Sequence, residues 1–170
     1  MELLKRIKDR APEYDSIYED LITRFTVAQG GRAGVTKDTA AWEQGKFFLF
    51  KYEIYMYSTL LGLKNNYRVP INSDAKKEKF IEIKSWQPNE LADYIIMSIF
   101  AKSDIDFNEL EMKDDKEVEK NILNFRKLME EFANGGLDTI RSKFEEDPSF
   151  FNNENCFLDL MDENSSSNEK

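Results

Sequence analysis

The chain has 170 residues, 41% hydrophobic and 13% aromatic, with a formal net charge of −9 and no histidine. That length suits one domain able to fold without a metal or a disulfide, and the missing histidine excludes Ser-His-Asp and Cys-His nucleophile systems, the HExxH zinc site and every histidine-ligated metal. The acidic total argues against non-specific nucleic-acid binding, yet residues 22–86 carry 11 Lys/Arg against 6 Asp/Glu while residues 87–170 carry 9 against 21, which leaves a local basic face open.

Seven Gly and four Pro make the chain poor in breakers, which favours helix over a turn-rich sandwich. Cys156 is the sole cysteine, so neither an intrachain disulfide nor a four-thiolate zinc site can form. The charged stretch Met1 to Arg10 has no apolar segment behind it, and no run is long and apolar enough to span a bilayer. The expected compartment is the cytoplasm, with no membrane partner.

In chain order, Glu2 to Arg10 reads as a short helix or arm. Pro12 suits the first turn of a second helix, carried to about Ala28 by Tyr14, Ile17, Tyr18, Leu21, Ile22 and Phe25 at spacings of three and four. Gly30, Gly31 and Gly34 break it. Their stretch lacks the Gly-Lys-Ser/Thr ending and the preceding strand of a phosphate loop, so it reads as a connector. Asp38 or Thr39 caps a long third helix to Leu61, apolar on nearly all sides from Trp42 onward and therefore central. Gly62 ends it as a left-handed cap.

Residues 67–72 and 79–85 alternate at period two in part and are expected to pair as a short β-hairpin, Pro70 restricting the first to an edge. Asn89 caps the next helix, to about Lys102. An acidic loop follows to Lys113. The clearest amphipathic helix runs from about Asp115 to Ala133 on the stripe Val118, Ile122, Phe125, Leu128, Met129 and Phe132. Asn134-Gly135-Gly136 ends it, because αL angles cost glycine little. A short helix from Leu137 to Glu146 stops before Pro148. Phe150, Phe151, Phe157, Leu158, Leu160 and Met161 dock a C-terminal segment. The expected architecture is a mainly α, compact helical domain over 1–163 with at most one short β-hairpin and a disordered tail over 164–170.

Few constellations could carry chemistry. Glu82 and Lys84 form an acidic-x-Lys pair on an expected strand, the kind of pair that restriction-type nucleases use to hold Mg²⁺ and orient water. Asp74 is the sole nearby acid for a third ligand, and it lies in a loop, so solvent-facing roles are expected. Asp104, Asp106, Glu109 and Glu111 lack the central Gly and closing Glu of an EF-hand loop. Asp114-Asp115 suits a helix N-terminus. Cys156 has no basic neighbour to lower its pKa. No metal, no cofactor and no catalytic residue is assigned. The basic set Arg24, Arg32, Lys37, Lys64, Arg68, Lys76, Lys77, Lys79 and Lys84 is the candidate for phosphate contacts.

Three stretches resemble a small family associated with bacterial DNA phosphorothioation, the Dnd-type modification and restriction systems. They are Thr59-Leu-Leu-Gly-Leu-Lys with Tyr67-Arg-Val-Pro-Ile, the helix around Ala92-Asp-Tyr-Ile-Ile, and Glu130-Glu-Phe-Ala-Asn-Gly-Gly-Leu-Asp. The sequence departs from the pattern at Tyr57-Ser58-Thr59, where small residues are the rule. The resemblance implies an accessory protein without an assigned reaction, in the setting of DNA modification and antiviral defence. Its partner is then a larger protein of that complex, with Arg68 and Asn134 as candidate contact residues. DNA as a second partner and self-association of the helix surfaces stay open. Docking is the leading expectation, nucleic-acid binding through 22–86 the second, and a Mg²⁺-dependent nuclease the third.

Overall fold

The computed structural model describes residues 2–28, 45–110 and 112–163. In chain order these form α1 (Glu2–Lys8), β1 (Glu13–Asp15), a 3-10 turn (Ser16–Tyr18), α2 (Glu19–Phe25), β2 (Thr26–Ala28), β3 (Phe48–Phe50) and α3 (Lys51–Lys64). Then come β4 (Lys77–Lys79), a 3-10 turn (Ile83–Ser85), α4 (Asn89–Ala101), α5 (Phe107–Leu110), α6 (Asp115–Glu146), a 3-10 turn (Pro148–Asn152) and α7 (Cys156–Glu163). The fold is mainly α. β1 pairs antiparallel with β4, and β2 pairs parallel with β3.

Helix α6 is the axis of the molecule. The Asp114 side chain accepts a hydrogen bond from the Glu117 N–H and caps it, and Asp115 places further negative charge at the positive end of the helix dipole. Its apolar face then buries Ile122, Phe125, Met129 and Phe132. Each such side chain contributes roughly 1.5–3 kcal/mol through lost apolar surface. The most extensive contact in the fold is between α6 and α3. Helix α3 buries Tyr52, Ile54, Tyr55, Met56 and Leu61, and its buried Ser58 and Thr59 hydroxyls donate back to the Ile54 and Tyr55 carbonyls at 2.7 and 2.8 Å. Such back-bonding satisfies a buried hydroxyl inside its own helix. Helix α4 adds Ala92, Ile95, Ile96, Ile99 and Phe100 to a core that runs from Ile7 to Leu160. Phe157 of α7 packs on Phe25 and Phe48, with centroids 5.1 and 4.8 Å apart, so the C-terminal segment docks as its aromatics suggest, although Leu158 is exposed.

Several local expectations give way to tertiary structure. Helix α6 does not stop at Ala133. It runs unbroken through Asn134-Gly135-Gly136 to Glu146, because those glycines admit neighbouring backbone rather than turn the chain. The helix expected from Pro12 begins only at Glu19. The Glu13–Asp15 backbone is claimed by Lys77–Lys79, and the Asp15 carboxylate, accepting from the Ile17 N–H at 3.1 Å, starts a 3-10 turn instead. Helix α3 begins at Lys51, where the Glu53 carboxylate accepts from the Leu49 and Phe50 N–H groups at 2.6 and 3.2 Å. The candidate caps Asp38 and Thr39, Trp42, the glycines at 30, 31 and 34, and the tail 164–170 lie outside the described residues. Gly62 sits inside α3, and the left-handed residue is Asn66, at φ 48°. The antiparallel β element departs from the expected hairpin of 67–72 with 79–85: its strand is Lys77–Lys79, sharing only Lys79 with that reading, and its partner is Glu13–Asp15. Asn89 is the first helical residue of α4, one beyond the cap at Pro88. The acidic loop contains the short helix α5.

Candidate functional site

Helices α3 and α6 cross where both carry glycine. A β-carbon on Gly62 would come within 2.9 Å of the Phe132 carbonyl carbon, and closer to its oxygen. On Gly135 it would come within 2.8 Å of the Tyr67 carbonyl carbon, and on Gly136 within 2.7 Å of Ser58 Cα. Real β-carbons do not approach so closely, so all three positions require glycine for backbone-to-backbone packing.

Residues 67–69 form a strap over this crossing. The Tyr67 N–H donates to the Gly62 carbonyl at 2.9 Å, and the Val69 N–H donates to the Glu131 carbonyl at 3.0 Å. The Tyr67 hydroxyl donates to Asp138 Oδ2 at 2.7 Å. The Arg68 guanidinium lies 5.7 Å from the Phe132 ring centroid and 3.8 Å from the Glu131 carboxylate. Tyr67 is 41% exposed and the Arg68 side chain 53%. The strap thus presents a tyrosine and an arginine to solvent while its backbone is fixed from beneath.

A buried polar stripe lies along the same helix. Arg126, Glu130 and Asn134 follow one another at intervals of four, which stacks them on one face. Glu130 is 6% exposed. Its carboxylate accepts from the Glu13 N–H at 2.8 Å and pairs with Arg126 Nε at 3.2 Å, although that pair is not aligned as a hydrogen bond. Burial outweighs both donors and pushes the Glu130 carboxyl up to about 7. Burial, with the Glu130 charge nearby, also pushes the Tyr55 hydroxyl well up. Among the described residues, the Tyr55 hydroxyl and both ends of the Asn134 amide have no hydrogen-bond partner. Arg126 and Tyr55 are absent from the sequence-derived candidates, and Glu130 enters there only as part of a family-like stretch. The available signal was a polar pair four residues apart bordering the apolar stripe of an amphipathic helix.

The sequence-derived candidates separate on the structure. Of the two proposed contact residues, Arg68 is at the surface and Asn134 is 1% exposed inside. The basic residues have separate local partners, with Lys76, Lys77 and Lys79 together at one strand. Arg24 lies over Phe144 at 4.7 Å, and the Lys64 ammonium donates to the Met161 carbonyl. Lys76 pairs with Glu78, Lys79 with Glu13 and Lys84 with Asp9, at 3.1, 3.7 and 2.9 Å. Lys77 is exposed, and Arg32 and Lys37 lie outside the described residues. Glu82 and Lys84 do not share a strand. The strand ends at Lys79, Glu82 precedes the 3-10 turn and Lys84 lies within it, so the nuclease-like geometry is not formed. Asp104 and Glu109 are exposed. The Asp106 carboxylate accepts from the Glu109 N–H at 3.4 Å at the start of α5, and Glu111 lies outside the described residues. Among those residues no three His, Cys, Asp or Glu side chains gather as a metal site, and no helix is long and apolar enough to cross a membrane. Cys156 is buried and its thiol is pushed up to about 11 by desolvation.

A cleft of about 940 Å³ is lined by Arg24, Phe25, Phe47, Phe144 and Phe151, among others. It contains none of the junction residues.

No curated protein and no solved structure matches the chain. The family model described as DNA sulphur modification system-associated protein 4 matches residues 28–170. That span includes the crossing helices, the strap and the buried stripe, and the chain belongs to this family.

Proposed function

We propose that the chain is a non-catalytic docking component of a DNA sulphur modification and defence assembly. Tyr67 and Arg68 are its contact with a larger protein of that assembly. The supporting observation is that the strap is an exposed part of a junction built by two of the three stretches that resemble the family. The glycines, Glu130 and Asn134 face inward, and the strap turns Tyr67 and Arg68 outward. Tyrosine and arginine on a rigid backbone are the residue types that dominate interface energetics, because they bury much area with little conformational freedom to lose. Asn134 then serves from inside, beneath the contact surface.

The test is affinity capture from the native host, with bound proteins identified by mass spectrometry. Wild-type chain is expected to recover a component of the DNA sulphur modification machinery, and the Tyr67→Ala/Arg68→Ala double variant to lose it. Equal recovery by both chains, at equal thermal stability, overturns the assignment of the strap.

A further inference from the structure

The two-stranded sheet β1–β4 has one closed edge and one open edge, and the hydrogen-bond pattern tells them apart. The Ser16 N–H donates to the Lys76 carbonyl at 2.9 Å, and the Phe80 N–H donates to the Pro12 carbonyl at 3.0 Å. In an antiparallel ladder, bonded and non-bonded pairs alternate. With Glu13 opposite Lys79, Tyr14 opposite Glu78 and Asp15 opposite Lys77, the pair Tyr14–Glu78 carries the cross-strand bonds. The N–H and C=O groups of Glu13 and Asp15 therefore point away from β4, and those of Lys77 and Lys79 point away from β1. The outward edge of β1 is capped by helix α6, whose Glu130 carboxylate accepts the Glu13 N–H. Among the described residues no strand adjoins the outward edge of β4.

We infer that the outward edge of β4 receives an extended acidic segment of a partner protein as an added antiparallel strand. Main-chain hydrogen bonds to Lys77 and Lys79 would supply the pairing, and Lys76, Lys77 and Lys79 the charge. Lys77 and Lys79 are exposed, and the side chains of Lys76 and Lys79 are 80% and 70% exposed. Their surface ion pairs with Glu78 and Glu13 are weak enough to exchange for a partner's carboxylates. The same lysines choose the occupant. Pairing the edges of two copies about Glu78 would set Lys77 opposite Lys79 twice, and like charges directly opposite destabilise a strand pair. A second copy of the chain is thus disfavoured where an acidic strand is welcomed. This edge is separate from the Tyr67–Arg68 strap, and either assignment can fail without the other.

The experiment uses the full chain and a fluorescent peptide of alternating Glu and Val, read by anisotropy and by amide hydrogen exchange. Binding is expected to protect the Lys77 and Lys79 amides while leaving the Glu78 amide unchanged. Lys79→Pro removes an outward donor together with one of the three charges, without touching the ladder to β1, and is expected to weaken binding by at least about tenfold, the scale of the lost hydrogen bond alone. N-methylation of alternate peptide amides is expected to abolish binding, as is exchange of Glu for Lys in the peptide. Thermal melting confirms that the variant is folded, and Lys77→Glu supplies a second variant that leaves all backbone donors in place. No binding overturns the proposal. So does binding that survives N-methylation, or preferential binding of an oligonucleotide with no protection at Lys77 and Lys79; either marks the lysines as a charge patch only.

Discussion

The carbonyl of Ser58 lies directly against Gly136, so near that a β-carbon there would come within 2.7 Å of Ser58 Cα. Helix propensity favours alanine over glycine by about 1 kcal/mol in a helix interior. Close packing here demands the opposite. Gly136→Ala, or Gly135→Ala beneath the Tyr67 carbonyl, is therefore expected to destabilise by about 2–4 kcal/mol, because backbone on the facing segment must move. Urea denaturation checks it, and a gain in stability on substitution would contradict the junction.

Asn134 supplies a second handle on the same helix. Both ends of its amide are buried without partners among the described residues, a cost of about 1–3 kcal/mol for unsatisfied polar groups. Asn134→Leu keeps the branching at Cγ and removes the polar atoms, so it is expected to raise the melting temperature wherever the larger methyl groups fit. A lower melting temperature would mean that the amide is hydrogen-bonded in solution.

Glu130 makes stability depend on pH. Its folded pKa is raised from the ordinary 4.5 to about 7, so the native state holds the proton more tightly than the unfolded chain. Its contribution is fully present below about pH 4.5 and is lost as pH rises through 7, a change on the order of 3 kcal/mol. Glu130→Gln keeps an acceptor for the Glu13 N–H without the charge. It is expected to flatten the decline between pH 4.5 and 7 and to exceed wild type in stability at pH 8, as followed by denaturant midpoints. Parallel pH curves for the two proteins would refute this.

Cys156 is fully buried, and desolvation raises its thiol to about 11. Its reaction with a disulfide reagent in the native protein at pH 8 is expected to be about two orders of magnitude slower than in urea. Equal rates would place the thiol at the surface.

Long periodic segments were legible in the sequence. Helix α4 and the first half of α6 fall where their apolar spacing puts them, and Asp114 caps as an acidic residue at a helix start should. Glycine was misread because it answers two needs with one residue. Asn134-Gly135-Gly136 and Gly62 satisfy the local rule for a helix end, and only the facing backbone of Ser58, Tyr67 and Phe132 shows that they serve close approach. The stripe from Tyr14 to Phe25 carries helical spacing, yet its first residues are taken by Lys77–Lys79, a pairing too distant in sequence for local pattern to reveal. Ile17, counted in that stripe, is exposed. At the candidate site, the resemblance names Arg68, which is exposed. The burial of Asn134 was not, since its surroundings come from other elements.

The proposed role of the junction is to present Tyr67 and Arg68 to a protein partner. Its most direct measurement is capture from the native host by three chains of matched stability: wild type, Tyr67→Ala/Arg68→Ala, and a control at the exposed Lys127 of α6, Lys127→Ala. Wild type and the control are expected to recover the same component of the DNA sulphur modification system, and the double variant at most about a tenth as much, the loss of a modest hot spot. Equal recovery by all three would contradict it.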